Sequence, residues 1–212
     1  MTTLLREIPS AVNRKPQSVV ISDKPRALEA IYQANCAAAI WQRSLLSDFA
    51  TWIENLDANH LPNGRLILQP KAVQSALNQL FEIANTPVSQ ERDFLINDIV
   101  NLAELFCEIM DVKYLRLRLD KISDNACLKF HKDVVTARLI CAYRGTGTQY
   151  GFSDHNQTPN QIKVVPTGSP IIMRGTLWPE IPKSGFLHRS PPIEGIGKTR
   201  LLLVLDPAAD NN

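Results

Sequence analysis

Apolar positions in the first half of the chain recur at helical spacing, and those in the second half fall into short runs; the change comes near residue 112. Trp41, Leu45, Phe49, Trp52 and Leu56 step by four, four, three and four, which lines one face of a helix. Asn63-Gly64 breaks that pattern. Pro70 suits the first position of a second helix, with Val73, Leu77, Leu80, Phe81 and Ala84 as its buried stripe. A third helix is expected from about Gln90 to Met110, with Leu95, Ile99, Leu102, Phe106 and Ile109 facing the core. The segment from Asn35 to Ile40 is alanine-rich and carries too little periodicity to separate helix from strand. The aromatic stripes read as core packing rather than as a cofactor pocket.

After Lys113 the pattern predicts eight short strands: Tyr114–Lys121, Leu128–Lys132, Thr136–Tyr143, Thr148–Phe152, Gln161–Val165, Pro170–Arg174, Phe186–His188 and Thr199–Leu205. Gly, Pro, Asn and Asp punctuate the gaps. Strands at this spacing suggest a sandwich or barrel. The expected class is α+β: a mainly helical supporting region (1–112) layered on a stranded region (113–207), sharing one core because no repeat or low-complexity linker separates them.

Length and composition agree with one domain. The 212 residues are 44% hydrophobic and 21% charged, enough apolar surface for a sizeable core. Formal net charge is only +2, and the basic residues are scattered, so neither a nucleic-acid stripe nor a membrane-binding polybasic run stands out. No stretch approaches the roughly 18 apolar residues of a spanning helix, and the N-terminus lacks the apolar core of a signal peptide. Cys36, Cys107, Cys127 and Cys141 show no CxxC spacing, which points to reduced, buried thiols and a cytoplasmic protein. Asn156-Gln157-Thr158 matches a glycosylation sequon by chance.

Four histidines occur. His60 and His155 lie in polar loops and read as solvated. His131 and His188 each end an apolar strand candidate. In a strand, residues two apart share a face, so His131 and Asp133 could close on one ion while Lys132 points away. His188 lies 55 positions after Asp133. Two imidazoles and a carboxylate form the facial triad of non-haem iron(II) oxygenases, with positions left open for co-substrate and dioxygen. Arg200 opens the apolar run Leu201–Leu205. A buried cation there needs a partner, and a guanidinium suits the distal carboxylate of a 2-oxo acid.

The order His131-x-Asp133, His188, then Arg200 on the last strand resembles the double-stranded β-helix (jelly-roll, cupin-like) of the iron(II)/2-oxoglutarate-dependent dioxygenases, over about residues 114–205. That resemblance implies iron(II) held by His131, Asp133 and His188, with 2-oxoglutarate anchored by Arg200. In that pattern a Ser or Thr follows the arginine by two; here Leu202 stands there, and Tyr143, Thr148 or Arg138 are candidates for the missing polar contact. Separately, Lys129–Asp133, Arg138–Thr148, His188–Pro191 and Arg200–Leu203 resemble a bacterial family of unknown function. Its members are often encoded near zinc-responsive metallochaperone-type GTPases, which implies a role in metal homeostasis.

Three function classes follow. One is an oxygenase of unread substrate. Another is a non-catalytic zinc binder using the same three residues, with a metallochaperone GTPase as partner; three protein ligands plus water suit zinc equally well. A barrel that has lost its metal and serves as an interaction domain is a third. Arg144-Gly145-Thr146-Gly147-Thr148 lacks the ending of a phosphate loop and reads as a hairpin or rim loop. Ser190 near His188 invites a hydrolase reading, against which stand the missing nucleophile elbow and the alternation of strand faces. Trp178-Pro179 and Phe152 are candidates for the barrel mouth.

Overall fold

A computed structural model describes residues 17–153 and 157–209. His155 and Asn156 of the sequon lie outside the described residues. Among the described residues, ten strands form two sheets. The strands are β1 (Ser18–Ser22), β2 (Cys36–Trp41), β3 (Gly64–Leu68), β4 (Tyr114–Ile122), β5 (Ala137–Arg144), β6 (Gln149–Phe152), β7 (Lys163–Val164), β8 (Ile171–Arg174), β9 (Phe186–Arg189) and β10 (Arg200–Ala208). The main sheet runs β1-β2-β8-β5-β10-β4-β3, and a smaller sheet runs β7-β6-β9. Only β1 and β2 pair in parallel.

The helices are α1 (Ser47–Asn55), α2 (Val73–Ile83) and α3 (Gln90–Met110). α3 occupies the span read from the sequence, and its whole apolar stripe is buried. Its start is fixed by Ser89, whose side chain accepts from the Arg92 N–H, satisfying one of the free donors of a helix N-terminus. α2 follows a short 3-10 turn that opens at Pro70.

Three sequence expectations change, and the ambiguous alanine run resolves. The first half is not purely helical: β1, β2 and β3 come from it and extend the main sheet on both sides. The alanine run is strand β2, buried on both faces, where small side chains fit between two packed layers. Trp41 ends that strand and Leu45 precedes α1, so the stripe 41–56 is helical only from Ser47. In the second half, the expected strand at 128–132 reduces to one isolated bridge between His131 and His188.

Strand β10 accounts for the layering. Leu201, Leu203 and Leu205 join the cluster of α1, α2 and α3, whereas Leu202 and Val204 join the cluster between the two sheets. A central strand covered on both sides reads as an unbroken apolar run, and each fully buried Leu or Val contributes about 1.5–3 kcal/mol. The helices therefore brace the outer face of the main sheet and leave its inner face to the smaller sheet and the site. Trp178 belongs to the helix-side core, against Tyr32 at 5.3 Å, and does not line the mouth. Phe152 packs edge-on to Phe186 at the border of the inter-sheet cluster.

Candidate metal centre

His188 is held in β9, and its backbone N–H and C=O both exchange hydrogen bonds with those of His131, at 3.0 Å each. This single antiparallel bridge sets the two residues opposite one another, with ring centroids 4.6 Å apart. Asp133 does not reach them by strand parity. Its carbonyl accepts from Thr176 N–H, and the chain from 133 to 135 is pressed against Gly175, where an added Cβ would lie 1.9 Å from the Val135 carbonyl oxygen. Lys132 points away and donates to the Ser184 carbonyl and hydroxyl.

One donor atom each from His131, Asp133 and His188 lies within 4.8 Å of the others. Asp133 Oδ1 is 3.5 Å from His131 Nε2, and Oδ2 is 3.1 Å from His188 Nε2. The second approach is short but poorly aligned, so the buried Oδ2 has no hydrogen-bond donor among the described residues. His131 Nδ1 lies 2.8 Å from the Lys129 carbonyl oxygen. A carbonyl only accepts, so Nδ1 carries a proton, and in the neutral ring Nε2 offers its lone pair on the side of Asp133. An orphaned carboxylate oxygen and a lone pair turned inward fit a divalent cation.

The electrostatics suit the same reading. Burial pushes Asp133 up, but its contacts with His131 and His188 and the charge of Arg138 outweigh it and hold the carboxyl well below its ordinary range. Contact with Asp133 raises His131. Burial lowers His188, which is 5% exposed.

Arg138 and Arg200 divide the roles expected of them. Both lie on the inner face of the main sheet. Arg138 grips Asp206 through Nε and Nη2, at 2.6 and 2.8 Å, and its Nη1 is 2.6 Å from Asp133 Oδ1. With three nitrogens committed it positions the carboxylate of the centre instead of contacting an oxo acid. Tyr143 is a clearer correction. It faces the helices, and its hydroxyl donates to Asp98 at 2.5 Å; Asp98 is also clamped by Arg43 at 2.6 Å on each oxygen. It therefore sits on the wrong side of β5 for a ligand between the sheets.

Arg200 is 1% exposed. Its Nε donates to the Thr146 carbonyl at 2.8 Å, and Nη1 lies 3.4 Å from Ser190 Oγ. Nη2 is buried with no partner among the described residues. Burial alone lowers this guanidinium to about 10. Ser190 follows His188 by two and so shares its side of the chain, which reverses the expectation that strand alternation separates them. It supplies the hydroxyl beside Arg200 that Leu202, buried in the inter-sheet core, cannot. The spacing from His188 was the available signal. Thr146 lies in the glycine-rich loop, which is a connection between β5 and β6.

His60 is half-buried, not solvated. Its Nδ1 lies 3.1 Å from the Ala84 carbonyl, and its own carbonyl accepts from Thr86, tying the loop before β3 to the turn after α2. The four cysteines are free; Cys127 is exposed and the others are buried, with burial pushing Cys141 up to about 12 and Cys107 up to about 11. No described helix is long and apolar enough to cross a membrane.

Comparison with solved structures gives the fold. A dioxygenase for auxin oxidation from Arabidopsis thaliana, solved in complex with 2-oxoglutarate, superposes with a TM-score of 0.52 at 8% identity, covering 92% of this chain and 93% of that one. The rice dioxygenase for auxin oxidation superposes with a TM-score of 0.50 at 10% identity, covering 92% and 84%. At such identity the likeness speaks for the jelly-roll architecture. No curated protein matches the sequence. The family model described as "Protein of unknown function (DUF1826)" matches residues 22–206, and the chain therefore belongs to the DUF1826 family.

Proposed function

We propose that this protein is an iron(II)/2-oxoglutarate-dependent oxygenase. The observation that carries the reading is the buried, unpartnered Nη2 of Arg200 beside Ser190, on the same side of the chain as His188. Leaving a charged donor unsatisfied costs more than the 1–3 kcal/mol of a neutral one, and a carboxylate arriving between the sheets would remove that cost. His131, Asp133 and His188 would hold the metal, and Arg200 with Ser190 would hold the distal carboxylate of the oxo acid. When bound, the iron and 2-oxoglutarate supply dioxygen-dependent oxidation coupled to conversion of the oxo acid to succinate and carbon dioxide.

The chain's own work is geometric. Arg138, locked by Asp206, keeps Asp133 in one orientation. The His131–His188 bridge fixes both imidazoles, and Leu202 and Val204 of β10 exclude water from the inter-sheet side. Iron is preferred over zinc because an anion anchor this deep has no use in a zinc buffer.

The test is anaerobic reconstitution with iron(II), addition of 2-oxoglutarate, exposure to air and measurement of succinate. Slow, substrate-independent succinate formation is expected from the wild type and none from His131→Ala. Zinc bound at one equivalent, with no succinate from the iron-loaded protein, would favour the non-catalytic zinc reading, in which the same centre passes metal to a GTPase partner.

A further inference from the structure

Among the described residues, nothing covers the inner face of the main sheet toward its β3 edge, where Arg65, Ile67 and Arg116 are exposed. Register fixes what it displays there. Arg118 pairs with Val204 on one side and with Arg65 on the other, and Arg116 pairs with Asp206 and Ile67. Val204 belongs to the inter-sheet core, and residues directly opposite in a sheet share a face. Arg65, Ile67, Arg116 and Arg118 thus continue the floor of the barrel outward. Arg65, Ile67 and Arg116 are exposed and Arg118 is half-buried.

This cluster is not balanced. Arg65 stands directly across from Arg118, an arrangement that destabilises a sheet. Asp120 lies at a loose 3.8 Å from Arg118 and Asp206 acts on it through charge alone, while Arg118 Nε is buried without a hydrogen-bond partner among the described residues. Among the described residues neither Arg65 nor Arg116 makes an ion pair, and the Asp206 carboxylate opposite Arg116 is already taken by Arg138. Arginines elsewhere in the fold are treated differently: Arg43 is clamped by Asp98 and Arg174 by Glu180. The cluster also begins beside the centre. Arg118 feels the charge of Arg138, whose Nη1 touches Asp133.

We propose that Arg65, Arg116 and Arg118 dock the phosphate of a small phosphate-monoester substrate, whose remaining part extends along the inner sheet face toward His131, Asp133 and His188. The substrate role rests on the oxygenase reading above; the anion site does not. Three guanidiniums within about one strand spacing, ~5 Å, by two residues, ~7 Å, match a single phosphoryl group, since guanidinium forks meet its oxygens in pairs. The patch is compact and stops at the edge strand beside exposed Ile67, so it does not trace a nucleic-acid backbone.

The test is calorimetric titration of inorganic phosphate and of glucose 6-phosphate into the metal-loaded full-length chain, with free metal removed. Arg118→Gln and the double variant Arg65→Gln/Arg116→Gln are compared with wild type, and 2-oxoglutarate is titrated into each sample. Saturable phosphate binding by wild type is expected, weakened about tenfold or more in both variants, with metal content and 2-oxoglutarate affinity unchanged. Arg65 is exposed, so the single variant Arg65→Gln folds; it should also weaken phosphate binding, with a melting temperature no lower than wild type because the repulsion across the strands is relieved. Equal phosphate affinity in wild type and variants, or no binding by folded wild type, overturns the proposal. So does tighter binding of a single-stranded oligonucleotide that grows with its length. Arginine-dependent phosphate binding without 2-oxoglutarate binding would leave the anion site standing and remove the oxygenase reading; the converse would remove only the anion site.

Discussion

Arg138 joins two carboxylates, Asp206 and Asp133, with one side chain. Asp206, 1% exposed, holds it from behind, and it holds Asp133 from the side. Lysine cannot reproduce the fork that spans the two carboxylates, so Arg138→Lys should weaken metal binding about 10–100-fold, read by competition with a chelator. The titration of the centre has a definite sign. Metal needs neutral imidazoles, and His131 is raised above its ordinary 6.5 by Asp133, so protons compete with metal from a higher pH than for a free imidazole. Burial lowers His188, so protons compete for it only at a lower pH than for a free imidazole. Metal affinity, measured from pH 8 to pH 5.5, should fall as pH falls and should begin to fall above 6.5. In the metal-free protein the sign reverses: the protonated His131–Asp133 pair stabilises the fold below the unfolded histidine value, and this contribution is lost as pH rises through the raised one.

The elements show which parts of the sequence could be read. α3 is legible because it carries a strong helical period and β10 because it is a short apolar run, which its packing on both sides explains. β2 is not, since alanines fit either structure until a sheet closes over them. The 128–133 segment reads as a strand, yet it makes a single bridge; what brings Asp133 to the histidines is its close contact with Gly175 and its ion pair with Arg138, neither visible in local pattern. His131, Asp133, His188 and Arg200 were found from residue type and order. Ser190, Asp206 and the Tyr143–Asp98 contact depend on which face each strand presents, and a bulge between Leu201 and Leu202 shifts that register. A Cβ at 175 would collide with the Val135 backbone, so Gly175→Ala should destabilise the fold by about 1–3 kcal/mol. Because the displaced segment carries Asp133, it should also lower metal affinity, a loss that a neutral packing change on the helix side would not produce. Denaturant unfolding beside metal titration separates the two effects.

At the scale of the molecule, the helical side and the inter-sheet side of the main sheet divide support from chemistry. Tyr143, Asp98 and Arg43 tie α3 to the sheet on one side, and the donor cluster, Arg200 and the arginine patch occupy the other. Metal that binds only the folded state stabilises it by mass action, about 2.7 kcal/mol at a hundredfold excess over the dissociation constant. The melting temperature should therefore rise with divalent metal in wild type and stay unchanged in His131→Ala, in a thermal-shift series against metal concentration. The joint arrangement of metal ligands and buried anion anchor is tested most directly by anaerobic calorimetry of 2-oxoglutarate with iron-loaded wild type and iron-loaded Arg200→Lys. The account predicts saturable binding by wild type, a loss of about a hundredfold in the variant and equal iron content in both. Absence of binding by iron-loaded wild type, or equal affinity in the two proteins, would contradict it.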